Sequence, residues 1–401
     1  MTDTARVADT PAPAVDLRRA LLPIVALALG GFAIGTSEFV TMGLLPDIAQ
    51  GVDVDIPTAG HVISAYALGV VVGAPVLAAA TARLPRKALL LGFAAVFGLG
   101  NVATAIAPGY ATVLLARFVA GLPHGAYFGV AALVAASLVP PALKGRAVSS
   151  VMLGLAVATL VGVPASTWLG QELGWRAAYW VVAGIALLTV VLVLAVVPQV
   201  PGRADATVRS ELGALRRPQV LLTLLAATVG FGGMFAVQSY IAPMTTEVAG
   251  LTSGFVPVVL LVFGVGAVVG TALGGYLADR ALFGSLVAGM VAVLAVLLAF
   301  GPAAHRAGTL LVVAFLLPAA ASVLVQCLQL RLMSVAGRAE MLGAALNHSA
   351  LNAANALGAL LGGAVIAAGY GWTSPALVGA GLAAAGLLVL GVSAALRRRH
   401  G

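Results

Sequence analysis

The chain has 401 residues, of which 61% are apolar and only 8% are charged. About a quarter of the residues in a soluble domain are charged, and a water-soluble core stops growing near ~250–300 residues. The composition therefore excludes one soluble domain and indicates a protein embedded in a bilayer. The net charge of +8 is scattered, without the basic stripe of a nucleic-acid surface, so no nucleic-acid partner is expected.

Residues 1–20 are polar and are expected to form a tail. The apolar run that follows is too long for a signal peptide, so a retained first span is expected. A spanning helix needs about 20 mostly apolar residues, and only helices or closed barrels pair their backbone groups in lipid. The sequence predicts an all-α integral membrane protein with twelve transmembrane helices, at 21–45, 57–80, 88–107, 110–138, 147–170, 175–197, 219–242, 254–277, 283–303, 308–334, 341–368 and 373–396.

The Lys and Arg residues fall unequally on the two sides of these spans. With the N-terminus in the cytoplasm, 18 of them lie on the cytoplasmic side and only Arg176 and Arg306 lie outside. Cytoplasmic loops carry an excess of Lys and Arg. We therefore predict a multi-pass protein of the cell membrane with cytoplasmic N- and C-termini.

A polar break divides the chain into two predicted six-helix bundles, at 21–197 and 219–396, joined by a cytoplasmic linker at 198–218 and followed by a tail at 397–401. The bundles repeat, because one shift of 197 residues superposes landmarks in matching places. These pairs are Pro46 with Pro243, Gly69 with Gly266, Gly73 with Gly270, Arg83 with Arg280, and Trp175 with Trp372. Parallel six-helix repeats are a transporter architecture, with the substrate site between the halves near mid-membrane.

Four segments resemble the major facilitator superfamily, and more narrowly its twelve-helix drug–proton antiporters near the arabinose-efflux-permease-like and chloramphenicol-exporter-like branch. They are GTSEFVTMGLLPDIA at 35–49, LLARFVAGLPHGAYFG at 114–129, GLAVATLVGVPASTWLG at 154–170 and GGYLADRALFG at 274–284. The third is similar to the Gly–Pro motif associated with antiport. The resemblance implies two pseudo-symmetric six-helix bundles, the major facilitator fold.

The fourth segment resembles the family's cytoplasmic loop after the eighth helix. The corresponding loop after the second helix, ATARLPRKALL at 80–90, departs from the family pattern, since Ala82 replaces an Asp and Pro85 replaces a Gly. A conformational latch, meaning a contact that breaks when the two halves separate, would then depend on the Asp279 carboxylate. The gating candidates are Arg83, Arg86, Lys87, Asp279 and Arg280. The alternative is an ordinary solvated loop pair, worth under about 1 kcal/mol.

Glu38 is the only one of the 13 carboxylates well inside a predicted span. Charged groups in the membrane are costly and mark functional sites by default. A low-dielectric site disfavours the ionised carboxyl, so such a group can take up a proton in one facing state and release it in the other. Alternatively, Glu38 forms a helix–helix hydrogen bond or is wetted at the outer mouth, about two turns before Pro46.

Other polar groups in the apolar spans are candidates for a substrate cavity. We interpret Arg117 as the one basic residue within a helix. Its side chain either holds an anionic group in the cavity or donates structural hydrogen bonds to helix carbonyls. His124 lies about two turns further along the same face and either handles protons or packs. The remaining candidates, which interhelical hydrogen bonding also explains, are Asn101, Gln238, Asn347, His348, Asn352 and Asn355.

Small residues in the second, fifth and eighth predicted helices favour close packing. Residues spaced by four let helix backbones approach, and the family resemblance places these helices at the contact between halves. The expected positions on that sliding surface are Gly69, Gly73, Gly154, Gly162, Pro164, Gly266 and Gly270. Packing within the lipid-embedded bundle is the alternative.

The predicted function is secondary active transport, with export of a small organic drug or metabolite in exchange for protons by alternating access. Such an antiporter would give efflux and multidrug or antibiotic resistance. No P-loop, metal-ligand cluster or catalytic triad is present in the sequence, so neither an enzyme nor a cofactor is expected. The expected partners are the substrate, protons and the bilayer, with a monomer as the working unit. A sugar or nutrient importer and a non-transporting receptor remain the alternatives.

Overall fold

In a computed structural model of the chain, the structure describes residues 17–81, 83–140, 143–201, 217–336 and 340–400. Every regular element in these ranges is helical. The described residues contain twelve helices that are long and apolar enough to cross a membrane, which confirms the predicted number of spans. Most of the expected linker lies outside the described residues, so the domain boundaries stay a prediction.

The twelve spanning helices begin and end within a few residues of the predicted boundaries, because length and apolarity alone define them. They are α1 Leu17–Gly43, α2 His61–Thr81, α3 Arg86–Ile106, α4 Tyr110–Ser137, α5 Arg146–Leu173, α6 Trp175–Val196, α7 Pro218–Gln238, α8 Ser253–Ala278, α9 Arg280–Ala303, α10 Ala307–Ala336, α11 Glu340–Ala367 and α12 Ser374–His400. An even number of spans returns the chain to its starting side. We call that side the terminal side and the other the distal side.

Two helices of the first half are interrupted near proline. The α-helical geometry of α4 breaks between Gly121 and His124, where Pro123 lacks the N–H that would continue the helix. In α5 a π-helical turn, Ala158–Gly162, precedes Pro164. The wider turn accommodates a ring that would clash with the carbonyl four residues earlier.

The segment at 278–282, expected as a loop between the spans 254–277 and 283–303, is instead helical apart from a single kink. Helical structure runs from Val256 to Ala303 apart from Ala281, which has φ −155° and ψ 73°. The loop prediction was wrong in this respect, because residues 278–282 contain no Gly or Pro, and Ala, Arg and Leu are strong helix formers. Consequently α8 and α9 are joined directly.

The internal repeat is visible in backbone contacts. In each half, two glycines of the second spanning helix lie against main-chain carbonyls of the fourth spanning helix. The contacts are Gly69 with Phe118, Gly73 with Leu122, Gly266 with Phe315 and Gly270 with Ala319. Each contact in the second half lies 197 residues after its counterpart, which confirms the two-bundle architecture.

These contacts also correct the expected sliding surface. Gly69, Gly73, Gly266 and Gly270 lie between helices of the same half, and Gly154 and Gly162 lie against α1 of their own half. Pro164 is buried after the π turn. A small residue permits close approach but does not specify the partner helix. Between the halves, Gly264 of α8 provides such an approach, since a Cβ there would lie 2.7 Å from the carbonyl oxygen of Thr159 in α5.

The halves pack closely on the distal side. Met42, Leu45 and Ala59 of the first half are buried in the hydrophobic core of the second half. The Gln171 amide at the end of α5 donates to the Ser253 carbonyl at the start of α8, at 3.0 Å. The structure therefore represents a conformation that is closed on this side.

Candidate functional site

Glu38 lies at the junction of the two halves. It occupies the distal part of α1 and is only 5% exposed. Asn355 of α11, in the other half, donates from Nδ2 to Glu38 Oε1 at 3.4 Å, and His124 Nδ1 of α4 lies 3.9 Å from Glu38 Oε2. This burial contradicts the alternative that Glu38 is wetted at an outer mouth, whereas a helix–helix hydrogen bond is present.

Arg117 is fully buried beside this junction. Its Nη1 donates to Ser37 Oγ at 2.8 Å and its Nη2 to the Ser37 carbonyl at 3.0 Å. The guanidinium carbon lies 4.3 Å from the ring centre of Tyr66 and 5.4 Å from that of Tyr179. Arg117 therefore makes the predicted bond to a helix carbonyl while also placing a permanent positive charge near Glu38.

Aromatic and imidazole rings continue from Glu38 towards the second half. The Tyr66 hydroxyl and His124 Nδ1 are 3.1 Å apart, and the His124 and Phe128 ring centres are 5.4 Å apart. Phe128 then stacks on His348 of α11, with ring centres 5.9 Å apart and planes within 4°. The sequence candidates His124 and His348 are thus connected through Phe128 across the two halves.

The polar candidates on α11 lie mainly on one helix face. His348, Asn352 and Asn355 are spaced by four and three residues, which places them on the same side of a helix. Asn352 donates to the His348 carbonyl at 3.1 Å. Among the described residues, Asn352 Oδ1, Asn355 Oδ1 and both amide atoms of Asn347 are buried and have no hydrogen-bond partner. Buried polar groups are normally paired, so this face is suited to a polar ligand or water.

Two other candidates lie away from that face. Asn101 is fully buried in the first half, accepting from Ser37 Oγ at 2.6 Å and donating to the Phe97 carbonyl at 2.8 Å. It therefore supports the Arg117–Ser37 contact. Gln238 ends α7 on the distal side, with Oε1 buried and unpaired among the described residues.

The gating candidates make contacts within their own half. Lys87 Nζ donates to the Leu194 carbonyl at 2.9 Å. The main-chain N–H of the buried Arg86 donates to the Val200 carbonyl at 2.8 Å, and Arg83 is exposed in a turn. Arg280 lies 3.7 Å over the ring of Tyr276 on the adjoining helix. The Asp279 side chain and Ala82 lie outside the described part. None of the described contacts of this set joins the two halves, so the latch stays a prediction.

Sequence reasoning missed that Arg331 is buried. Arg331, counted with the basic residues of the cytoplasmic side although the predicted span 308–334 contains it, is 4% exposed inside α10, which corrects the reading of Arg117 as the one basic residue within a helix. Its Nη2 donates to Gln219 Oε1 at 3.0 Å and to Ser393 Oγ at 2.7 Å. Ser37 and Tyr66 were also missed, although both are polar residues in apolar runs, one of them adjacent to Glu38.

The halves differ chemically at the equivalent of Glu38. The residue 197 positions later is Phe235, whose ring lies nearly parallel to that of Phe39, with centres 6.5 Å apart and planes within 13°. The repeat therefore supplies a carboxyl in one half and an apolar ring in the other.

Twelve spans in two repeated halves, with a buried carboxyl where the halves meet, define a membrane transporter. The chain belongs to the Major Facilitator Superfamily, whose family model matches residues 27–346. This confirms the family resemblance of the four segments.

The chain is similar to two transport-related proteins over long stretches. It is 42% identical over 372 residues to the inner membrane transport protein YdhP of Escherichia coli K12, covering 93% of this chain and 96% of that protein. It is 39% identical over 263 residues to the chloramphenicol resistance protein of Streptomyces lividans, covering 65% and 67%. A crystal structure of a mutant of the nucleoside transporter NupG has the same fold, with a TM-score of 0.74, 14% identity, and coverage of 94% of this chain and 99% of that one.

Proposed function

We propose that this transporter exports a small organic compound in exchange for protons, with Glu38 as the coupling residue. The observation that carries the proposal is the position of Glu38, buried and contacted both by His124 of its own half and by Asn355 of the other half. A carboxyl at the junction is exposed to opposite sides as the halves alternate, so it can take up a proton from one side and release it to the other.

The direction of transport is supported by the name of one relative, and the sides of the membrane by the distribution of basic residues. The relative from Streptomyces lividans is named for chloramphenicol resistance, and export is one route to resistance. The excess of Lys and Arg on the terminal side favours cytoplasmic termini in a cell membrane. The closed distal side is then the outer side of the membrane.

Substrate binding is assigned to the polar face of α11 and the rings beside it. The unpaired amide atoms of Asn347 and Asn352 offer hydrogen bonds, and the Phe128–His348 pair offers an apolar, planar surface. A small, neutral or amphipathic compound suits this combination.

The test is a toxicity panel, beginning with chloramphenicol, in a host that lacks its own pumps. Glu38→Gln removes the ionisable group with little change in shape, and Glu172→Gln, at an exposed position near the end of α5, is the matched control. We expect resistance with the wild-type chain and Glu172→Gln, and none with Glu38→Gln at equal membrane expression.

Flux in everted vesicles identifies the mechanism. Export appears as accumulation driven by an inside-acid gradient, and Glu38→Gln should lose this accumulation while retaining downhill exchange of substrate. Uphill transport that persists in Glu38→Gln would refute the coupling role. Accumulation only in right-side-out vesicles would instead identify an importer.

A further inference from the structure

Asn355 contributes to the Glu38 site from the second half of the protein. It is fully buried in the middle of α11. Its Nδ2 donates to Glu38 Oε1, while its Oδ1 has no partner among the described residues. Its neighbour Ala356 accepts a hydrogen bond from Ser64 Oγ of α2 at 3.3 Å, so this turn of α11 is attached to the first half at two points.

The bond from Asn355 depends on the state of Glu38. An ionised carboxylate only accepts hydrogen bonds, whereas a protonated carboxyl also donates one. Hydrogen bonds to an ionised acceptor are roughly twice as strong as those between neutral groups. The Asn355–Glu38 contact therefore holds the halves together more firmly when Glu38 is ionised.

The other titratable or charged groups that face Glu38 come from several helices. They are Tyr66 of α2, Arg117 and His124 of α4, Tyr179 of α6 behind Arg117, and His348 of α11 behind His124. Arg117 is charged in either state of Glu38 and is already bonded to Ser37. The contacts of Arg117 and His124 with Glu38 stay within the first half, so they do not link the proton to the separation of the halves.

We infer that Asn355 is a positioning residue that makes the contact between the halves depend on the proton at Glu38. With Glu38 ionised and no substrate bound, Asn355 holds α11 against α1 and the distal side stays closed. Protonation weakens the bond, and the halves separate. This inference rests on the proposed function, and it explains how a transporter that holds neither proton nor substrate is kept from reorienting.

The experiment measures distal opening directly and needs no substrate. Spin labels are placed at the exposed distal positions Gln50 and Ala368, one in each half, after the single cysteine, the buried Cys327, is replaced by Ala. Double electron–electron resonance on the full chain in lipid nanodiscs then gives the distance distribution at acidic and alkaline pH. The wild type should gain a longer-distance population on acidification.

Variants at Asn355 should remove this response. Asn355→Leu keeps the size of the side chain without the amide, and we expect its longer-distance population at alkaline pH to rise about tenfold and to be insensitive to pH. Asn355→Ala is the second variant if Asn355→Leu does not fold. Asn355→Gln retains an amide and should keep part of the response. Thr223→Val, which removes a buried hydroxyl bonded within α7, is the control and should respond as the wild type does.

The outcomes separate the two proposals. If Asn355→Leu and Asn355→Ala keep the wild-type response while Glu38→Gln loses it, the role of Asn355 is refuted and Glu38 remains the coupling residue. If Glu38→Gln also keeps the response, the proposed coupling function fails too. Loss of the response in Thr223→Val would also refute the inference, since the removal of any buried polar group would then be enough to abolish the pH-dependent change in distance.

Discussion

The Tyr240 hydroxyl, in the second half, occupies the space that a Cβ on Gly60 of the first half would need. The hydroxyl also donates to the Ala359 carbonyl at 2.8 Å and lies where a Cβ on Gly363 would stand.

Nearby, Asp55 caps the short helix that carries Pro57, and hydrogen bonds from Thr58 hold the pKa of the Asp55 carboxylate below its ordinary value. A groove of about 360 Å³ runs between this segment and residues 360–367.

Gly60→Ala should open the distal side. Gly60 has φ −55°, which suits alanine, so the effect is steric. The tightest contact of the added Cβ is with the Tyr240 hydroxyl, and the Pro57 carbonyl oxygen lies 3.0 Å from it. Overpacking of this kind costs about 1–3 kcal/mol, and we expect the closed population to fall accordingly in the Gln50–Ala368 distance measurement. Adding Tyr240→Phe should restore closure. Gly92→Ala, where a Cβ meets nothing within 4 Å, is the control, and an unchanged distribution in Gly60→Ala would contradict this contact.

Gly69→Ala and Gly266→Ala should destabilise the protein by similar amounts. Each places a Cβ against the main-chain carbonyl of an equivalent residue, Phe118 or Phe315, and backbone cannot move aside as a flexible side chain does. A loss of about 1–3 kcal/mol is expected for each, measured as thermal unfolding in detergent. Gly275→Ala, which meets nothing within 4 Å, should be near neutral. Destabilisation by only one member of the pair would contradict the equivalence of the two halves.

Ser37→Ala should weaken the attachment of α1 to α3 and α4. The Ser37 hydroxyl receives a hydrogen bond from Arg117 and donates one to Asn101, so its loss leaves two buried polar groups short of a partner. The expected cost is about 1–3 kcal/mol, seen as a lower unfolding temperature. Ser150→Ala is the control, because that exposed hydroxyl bonds only the Arg146 carbonyl of its own helix. Equal unfolding temperatures for both variants would show that the contact adds no stability.

Arg331→Lys should destabilise the terminal side of the second half. The guanidinium reaches both Gln219 and Ser393 and lies 4.8 Å over the Phe283 ring, and an ammonium cannot reproduce that forked, planar arrangement. We expect a loss of about 1.5–3 kcal/mol in detergent unfolding. Arg306→Lys, at an exposed distal position, should change stability by less than about 0.5 kcal/mol. A comparable effect at both positions would refute the role of this cluster.

The sequence predicted those features that depend on local composition. The twelve spans follow from runs of apolar residues, and Glu38 was identifiable as the acid placed inside one of them. The pairing of Glu38 with Asn355 was not predictable, because the two residues are 317 positions apart and no spacing rule connects α1 to α11. Likewise, glycine spacing indicated close helix contacts but not that α4 and α10 supply the carbonyls. Arg331 was counted with the basic residues of the cytoplasmic side, because the sequence did not show that Gln219 and Ser393 compensate for its burial near the end of α10.

Under the proposed proton coupling, Phe235 at the position equivalent to Glu38 would limit how steep a gradient the transporter can sustain. If Glu38 is the one carboxyl that carries protons through the membrane interior, each cycle moves a single proton. One charge crossing 100 mV is worth ~2.3 kcal/mol, and each ~1.4 kcal/mol corresponds to a tenfold ratio. A neutral substrate could then be held at a concentration ratio of about 50 by a 100 mV potential alone. A second carboxyl at the Phe235 position would square that ratio, so the asymmetry between the repeats sets the thermodynamic ceiling.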